Sequence, residues 1–281
     1  MAERVSSTSQ DEIPESTADQ RIAGLYAQIR AVSGLQGINL FYRRLAYAGA
    51  DVLTEFWDQV SPLYHSRRLH QAGAVVEHLV TLPAVACLDG PLLEASGVAR
   101  DERAAVRATL RYFNRANAMH LALFSGLSHV LDDTGRDVTA VEHDNITESA
   151  ANGEDELLPL VPFTDTPVAS QVLVAAIRDR LAPNVNKALI PTLLRHFAPY
   201  PVLIGSLYGY VASHNEALLR AIDASRTDAL RVGKPLFAPD SVTFSEPVRA
   251  IVDTTGHEFR QIIPTMLVLG TAMARGLTSS R

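Results

Sequence analysis

The chain has 281 residues, of which 47% are hydrophobic, and its net charge is −6 at pH 7. This length and composition allow a sizeable core in one large domain or two small ones. The acidic balance argues against a nucleic-acid backbone or an anionic membrane as the main partner. A single cysteine, Cys87, excludes a disulfide within the chain and fits a cytoplasmic protein.

Two groups of helices are predicted along the chain. The first 18 residues are rich in Ser, Glu, Asp and Thr and lack the features of a signal peptide, so we predict a flexible tail. A helix stop at Gly34, an N-cap at Asp101 and the helical spacing of apolar residues are the signals for the first group. Its helices are predicted over 19–32, 39–50, 52–64, 67–79 and 103–127.

A polar segment, 134–165, follows the first group and is interpreted as a linker. The second group begins after it, and Ser213 with Glu216 has the spacing of a capping box within it. Its helices are predicted over 168–181, 191–197, 202–212, 217–225, 246–254 and 258–274. Since no convincing run of alternating strands is present, we predict an all-α fold.

The second group of helices repeats the plan of the first. Ile29-Arg30 and the later run 41–46 have partners in Ile177-Arg178 and the run 193–198, and each half closes on a long apolar helix. Two such halves should pack as an intramolecular pseudo-dimer with the ligand site between them. The predicted organisation is a tail (1–18), repeat 1 (19–133), a linker (134–165) and repeat 2 (166–281). The alternative is that two all-helical halves share this pattern by chance.

Common catalytic signatures are absent from the chain. It contains no dinucleotide or phosphate-binding glycine motif, no nucleophile elbow and no cysteine pair. His65, His70 and His78 lack the i, i+4 spacing of metal ligands and are interpreted as solvated or capping residues. Cys87 lies in an apolar run and is read as a small buried side chain rather than a nucleophile. We therefore expect no metal and no cofactor.

Asn114, Asn117 and His120 form a polar stripe that enters an apolar helix. Their spacing of three places them on one helix face, and Asn is a poor residue for a helix interior. One interpretation is a site that holds a carboxylate or a carbonyl. The other is a helix junction capped by amides, and the stripe alone does not decide between them.

Cationic residues occupy equivalent positions of the two halves. Arg43-Arg44 in the first half corresponds to Arg195-His196 in the second. Arg suits bidentate binding of carboxylates, but a solvated helix face is the favoured interpretation for Arg43 and Arg44. His196 lies between apolar neighbours, where a neutral imidazole could act as a general base or could simply be a satisfied core histidine.

Four segments carry a resemblance to a known family through their order along the chain. They are Ile22-x-x-Leu25-Tyr26-x-x-Ile29-Arg30, Tyr112-x-Asn114-x-x-Asn117, the run 157–161, and Arg195-x-x-Ala198-x-Tyr200-Pro201. Over most of its length the chain resembles the group I 2-haloacid dehalogenases, an all-helical family that acts on both D and L substrates. The resemblance implies a fold of two helical repeats that form a pseudo-dimer.

The resemblance also implies a mechanism that this chain does not fully match. In the family, an Asp of the second repeat activates a water that displaces halide, an Asn of the first repeat holds that water, and a Trp lines the pocket. Matched by position, the Asn is Asn117, whereas Leu193 stands in place of the Asp and Gly37 falls near the Trp position. Leu cannot accept a proton, and general-base catalysis typically contributes about 10²–10⁴-fold to a rate.

Three interpretations follow from this departure. The chain could be a small-molecule enzyme on the same scaffold with altered chemistry, namely a rearrangement, elimination or cyclisation of a bulkier, more apolar metabolite. It could instead be a non-catalytic binding protein, or a dehalogenase with a substitute base. A plain structural role stays open as well. The catalytic candidates are Asn117 and His196, and the substrate-binding candidates are Gly37, Asn114, His120, Leu193 and Tyr200.

The expected partner is a small molecule, with neither nucleic acid nor membrane involved. An exposed apolar face on either repeat could pair two chains as a homodimer. The identity of the substrate is not readable from the residues.

Overall fold

The computed structural model describes residues 11–83, 88–131, 156–237 and 242–278. Every regular element in these ranges is helical, which confirms the predicted all-α fold. Cys87 and residues 134–155 of the predicted linker lie outside the described residues. The α-helices are α1 (Gln20–Ser33), α2 (Leu40–Ala48), α3 (Ala50–His65), α4 (Arg68–Leu79), α5 (Gly90–Ala95), α6 (Glu102–Leu131), α7 (Val168–Leu181), α8 (Thr192–Phe197), α9 (Pro201–Gly233) and α10 (Glu246–Thr278).

Local capping residues set the boundaries of the early helices. The Asp19 side chain accepts a hydrogen bond from the Ile22 amide at 2.9 Å, which satisfies one free donor at the start of α1. Gly34 ends α1 in the left-handed conformation, with φ of 64°, as its sequence position predicts. Asn39 caps α2 by accepting from the Phe41 amide at 2.9 Å.

The helices of the second half are longer than the sequence predicts. α9 spans residues 201–233 and has a kink at His214, where the non-helical backbone (φ −119°, ψ 19°) separates two helical stretches next to the predicted capping box. The His214 ring stacks on Tyr210 at 4.7 Å, and its Nδ1 donates to the Tyr210 carbonyl at 3.0 Å. The helix boundary predicted near Ser213 is therefore present as a kink. α10, in contrast, runs without a break through 255–257.

The two halves begin and end with similar helices. α1 and α7 are both 14 residues long, α2 and α8 are short, and each half ends in a long helix, α6 or α10. α6 and α10 pack against each other at the centre of the molecule and also contact α9. This arrangement is compatible with the predicted pseudo-dimer.

A backbone contact joins α6 to the end of α9. A Cβ atom added to Gly126 would lie 2.4 Å from the Gly233 carbonyl oxygen, and one added to Gly233 would lie 2.3 Å from the Ala122 carbonyl oxygen. Distances this short leave no room for a side chain. Glycine at both positions thus allows the two helices to cross with their backbones touching.

The described part of the predicted tail contacts α1 and α2. The Ile13 amide donates to the Arg43 carbonyl at 3.1 Å, and the Tyr26 hydroxyl donates to the Ile13 carbonyl at 2.8 Å. A short 3-10 helix, Glu15–Thr17, follows. We call residues 11–17 the N-terminal strap. The strap makes polar contacts with α1 and α2, although its low hydrophobicity is the basis on which the sequence predicts a tail.

None of the helices in the described ranges is both long and apolar enough to cross a bilayer.

Candidate functional site

A cavity of about 400 Å³ lies where the two halves meet. The first half contributes the loop before α2 and one face of α6, and the second half contributes the loop before α8, α8 itself and one face of α10. The N-terminal strap adds Glu15 at the edge. Five of the residues predicted from the sequence line the cavity, namely Gly37, Asn117, His120, Leu193 and His196.

Two predicted substrate-binding residues do not line the cavity. Asn114 is buried, and its Oδ1 lies 2.2 Å from the position that a Cβ on Gly270 would take. Leu193 Cδ2 lies 3.3 Å from the same point, so Asn114 sits behind Leu193, against α10. The Tyr200 hydroxyl donates to the Glu102 carboxylate at 3.2 Å, so its hydrogen bond is made to the first residue of α6. The helical stripe places Asn114 on the correct helix, but the packing of α10 covers it.

His120 lines the cavity and has a buried acceptor without a partner in the described part of the chain. Its Nδ1 lies 2.7 Å from the Ala116 carbonyl oxygen, and because a carbonyl only accepts, Nδ1 carries the proton. Nε2 is buried and has no hydrogen-bond partner among the described residues. Burial lowers the pKa of His120 to about 4, although the bond to Ala116 opposes the shift. The imidazole is thus neutral at pH 7, with its lone pair on Nε2.

Asn117 presents an open donor on the same face of α6. It precedes His120 by three residues, so the two side chains are neighbours on the helix surface. Asn117 is 7% exposed, and within the described ranges its Nδ2 has no partner. A buried donor without a partner costs about 1–3 kcal/mol. A ligand with a carbonyl or hydroxyl oxygen would remove that cost.

His196 is a second neutral histidine in the cavity wall. Its Nδ1 donates to the Leu158 carbonyl at 2.7 Å, and its ring lies 5.2 Å from that of Phe113. Burial lowers the pKa of His196, the bond to Leu158 raises it, and the charge of Arg195 lowers it. The backbone bond also fixes the orientation of the ring.

Tyr112 takes up part of the space beside Gly37. Its hydroxyl accepts from the Gly37 amide at 3.1 Å and donates to the Gly37 carbonyl at 3.2 Å. A Cβ on Gly37 would lie 3.1 Å from that hydroxyl. Burial raises the pKa of Tyr112, so the phenol stays neutral. The extra room expected from a Gly in place of a Trp is therefore partly filled.

The remaining cavity wall is mostly apolar. Leu193 is 1% exposed and lines the cavity where the resemblance expects a carboxylate. The loop before α8 and one face of α10 continue this surface. Its members from those two elements are Leu189, Ile190, Pro191, Phe259, Ile262, Ile263 and Met266.

Sequence reasoning missed several functional neighbours. Arg43 and Arg44 do not form a solvated face, since their side chains are 14% and 17% exposed and pair with Glu12 and Glu258. Arg43 lines the cavity. Asn39 also lines it, and its Nδ2 lies 3.3 Å from His120 Nδ1. The only feature of the sequence that draws attention to Asn39 is its position at the start of a predicted helix.

Among the residues that the structure describes, no three His, Cys, Asp or Glu side chains lie close enough together to hold a metal ion.

Comparison with known proteins gives a match at the level of structure alone. No protein-family model matches the chain, and no curated protein does. Three solved structures of D-2-haloacid dehalogenases resemble it closely in fold. A complex with L-LA gives a TM-score of 0.66 at 17% identity, covering 94% of this chain and 95% of that one.

A mutant complex with D-2-CPA gives a TM-score of 0.61 at 18% identity, and a further mutant structure gives 0.59 at 17% identity. Both comparisons cover 94% of each chain. The helices and their order thus extend over nearly the whole length of these proteins. The chain has the fold of the D-2-haloacid dehalogenases.

Proposed function

We propose that this protein is a small-molecule enzyme that uses the dehalogenase scaffold for a different, cofactor-independent reaction. The substrate is a bulkier and more apolar metabolite than a 2-haloacid, and the reaction is a rearrangement, elimination or cyclisation. One observation carries the proposal. Leu193 lines the cavity where the resemblance expects a carboxylate, while an open acceptor and an open donor, His120 Nε2 and Asn117 Nδ2, lie on α6.

These two atoms suit proton transfer next to a carbonyl group. Asn117 Nδ2 donates to the carbonyl oxygen, and the same hydrogen bond strengthens as negative charge develops there. His120 Nε2 removes a proton from the adjacent carbon and becomes an imidazolium. With a β,γ-unsaturated substrate the imidazolium returns this proton to the γ-carbon of the dienolate; with a leaving group on the β-carbon the enolate expels that group, and the imidazolium gives its proton to the leaving group or to water. The lowered pKa keeps the imidazole neutral at pH 7, so the lone pair on Nε2 is available to accept the proton.

A proton-exchange assay tests this chemistry. Cyclohexanone, a small apolar ketone, is incubated with the protein in D2O, and loss of its α-proton signal is followed by NMR. We expect the native protein to accelerate exchange over buffer, and His120→Gln or Asn117→Ala to lose at least about tenfold of that acceleration. Tyr47→Phe, at an exposed position, is the matched control. Exchange at the buffer rate with native protein contradicts the proposed proton transfer.

Halide release separates this proposal from dehalogenation. Both enantiomers of 2-chloropropionate are assayed with the native protein, Leu193→Asp and Leu193→Asn. We expect no halide from the native protein or from Leu193→Asn, and measurable halide from Leu193→Asp. Asn has the size of Asp but cannot act as a base. A difference between Leu193→Asp and Leu193→Asn therefore reports the effect of the carboxylate alone.

Dehalogenation with a substitute base is the second candidate, and the open Nε2 of His120 favours it. A water held between His120 and Asn117 could be activated there. Halide release by the native protein that disappears in His120→Gln would support this candidate over the first. Binding without turnover remains the expectation if neither assay responds.

A further inference from the structure

We propose that Arg43, with Arg195 beside it, binds the carboxylate head group of an amphipathic substrate, and that Glu12 of the N-terminal strap occupies this position until the substrate displaces it. The inference rests on the proposed function, because it names the class of substrate for the same cavity. The substrate's apolar body would then extend from the cavity edge toward His120.

The strap reaches the cavity through several contacts. Ile13 is held by the Arg43 carbonyl and the Tyr26 hydroxyl, as described above. Glu15 lines the cavity, and its Oε1 accepts from the Ile38 amide at 3.0 Å. Its other oxygen pairs with Arg30. The strap is therefore one side of the cavity opening, and Glu12 is the acidic group that it places on Arg43.

The contact between Glu12 and Arg43 is close but poorly aligned. Glu12 Oε2 lies 3.1 Å from Arg43 Nε, with the two side chains 13% and 14% exposed. Neither atom makes a geometrically acceptable hydrogen bond in the described part of the chain. A guanidinium binds a free carboxylate best through two parallel hydrogen bonds. A mobile ligand can adopt that geometry, whereas Glu12 is limited by the backbone of the strap.

The charges at this edge do not cancel. The charges of Arg43 and Glu12 both act on Arg195. Burial lowers the pKa of Arg195, the charge of Arg43 lowers it further, and the charge of Glu12 raises it. Arg195 has no carboxylate within ion-pair distance among the described residues, and its Nε is buried without a partner. Two cations thus share one carboxylate. A bound monoanion would neutralise the second positive charge.

The position of Arg43 places the anion near the polar atoms of the cavity. Asn39 caps α2, and its carbonyl oxygen accepts from the Arg43 amide at 3.3 Å, so the two residues lie together at the start of this helix. Asn39 in turn contacts His120. An acid with its head group on Arg43 would therefore expose carbons several bonds away to His120, and the apolar wall of α10 would hold the chain.

Binding of matched probes tests the inference. Octanoate and its neutral isostere octanamide are titrated calorimetrically into the native protein, Glu12→Gln, Arg43→Met and the control Glu216→Gln, whose carboxylate is exposed. We expect Glu12→Gln to tighten octanoate binding about tenfold, because the internal competitor is gone. Arg43→Met should weaken octanoate about tenfold. Octanamide should bind all four proteins alike.

Two results would overturn the inference. One is a Glu12→Gln dissociation constant for octanoate within twofold of native, which includes the absence of binding to both proteins. The other is an equal change for octanoate and octanamide. Glu12→Gln preserves size and polarity, so the test does not depend on Arg43→Met folding well.

The proposed function is tested separately by proton exchange. If octanamide binds and cyclohexanone exchanges while Glu12→Gln has no effect on octanoate, the enzyme proposal stands and the anion site is wrong. If octanoate responds as expected but no exchange occurs, the anion site stands and catalysis is wrong.

Discussion

Protonation of His120 should destabilise the folded protein in mild acid. In the unfolded chain a histidine titrates near its ordinary pKa of 6.5, whereas burial lowers the pKa of His120 to about 4 in the folded chain. Above pH 6.5 both states are neutral and the contribution to stability is fully present. As the pH falls toward 4, the histidine becomes protonated in the unfolded state but stays neutral in the folded state, so the free energy of unfolding decreases.

The size of the effect follows from the two pKa values. Each unit of difference is worth about 1.4 kcal/mol, so a shift from 6.5 to about 4 corresponds to a total of about 3 kcal/mol. About 2–3 kcal/mol of this should be lost between pH 7.5 and pH 4.5. The burial of His196 adds to the acid sensitivity of the native protein, but it is unchanged when His120 is replaced.

Urea unfolding followed by far-UV circular dichroism measures the effect. The free energy of unfolding is determined at pH 4.5, 5.5, 6.5 and 7.5 for the native protein and His120→Gln, with His65→Gln at an exposed position as the control. We expect the free energy of unfolding of the native protein to fall in acid by about 2–3 kcal/mol more than that of His120→Gln over this range. Parallel curves would refute the reasoning, because they would mean that folded His120 accepts a proton as readily as the unfolded chain.

Four further substitutions have defined outcomes. Gly126→Ala should lower the free energy of unfolding by about 1–3 kcal/mol, because the added methyl meets the Gly233 carbonyl. Gly24→Ala, in open space on α1, should raise the free energy of unfolding by about 0.5–1 kcal/mol in the same urea titration. Tyr112→Phe should cost about 1–3 kcal/mol through the lost bonds to Gly37, measured by thermal unfolding against the exposed control Tyr47→Phe. Asp19→Ala should cost about 1 kcal/mol by removing the cap of α1, and a loss no larger than that of Asp51→Ala would contradict this role.

Features set by neighbours in the sequence were predictable. Gly34 ends α1 because only a residue that tolerates positive φ fits there, and the spacing of Asn117 and His120 alone places them on one helix face. The helix boundary predicted near Ser213 corresponds to the kink at His214, whereas the break predicted after residue 254 was wrong. Capping signals compete with tertiary packing, and α10, which packs against α6, stays helical through the weak cap positions after residue 254.

The composition of the site depends on contacts between distant residues. Arg43 resembles a surface cation until Glu12, 31 positions earlier, is brought against it by the strap. Asn114 has the pattern of a site residue, yet the close approach of α10 at Gly270 covers it. The locations of Leu193 and Gly37 were predicted only through the resemblance, because neither residue type carries a chemical signal of its own.

The two long helices that line the cavity present different chemistry to it. α6 presents an amide and an imidazole, while α10 presents Phe259, Ile262 and Met266. A planar carbonyl compound in this space would meet hydrogen-bonding groups on one side and hydrocarbon on the other. Proton delivery would then reach a single face of the molecule. Any new stereocentre formed there should have one configuration.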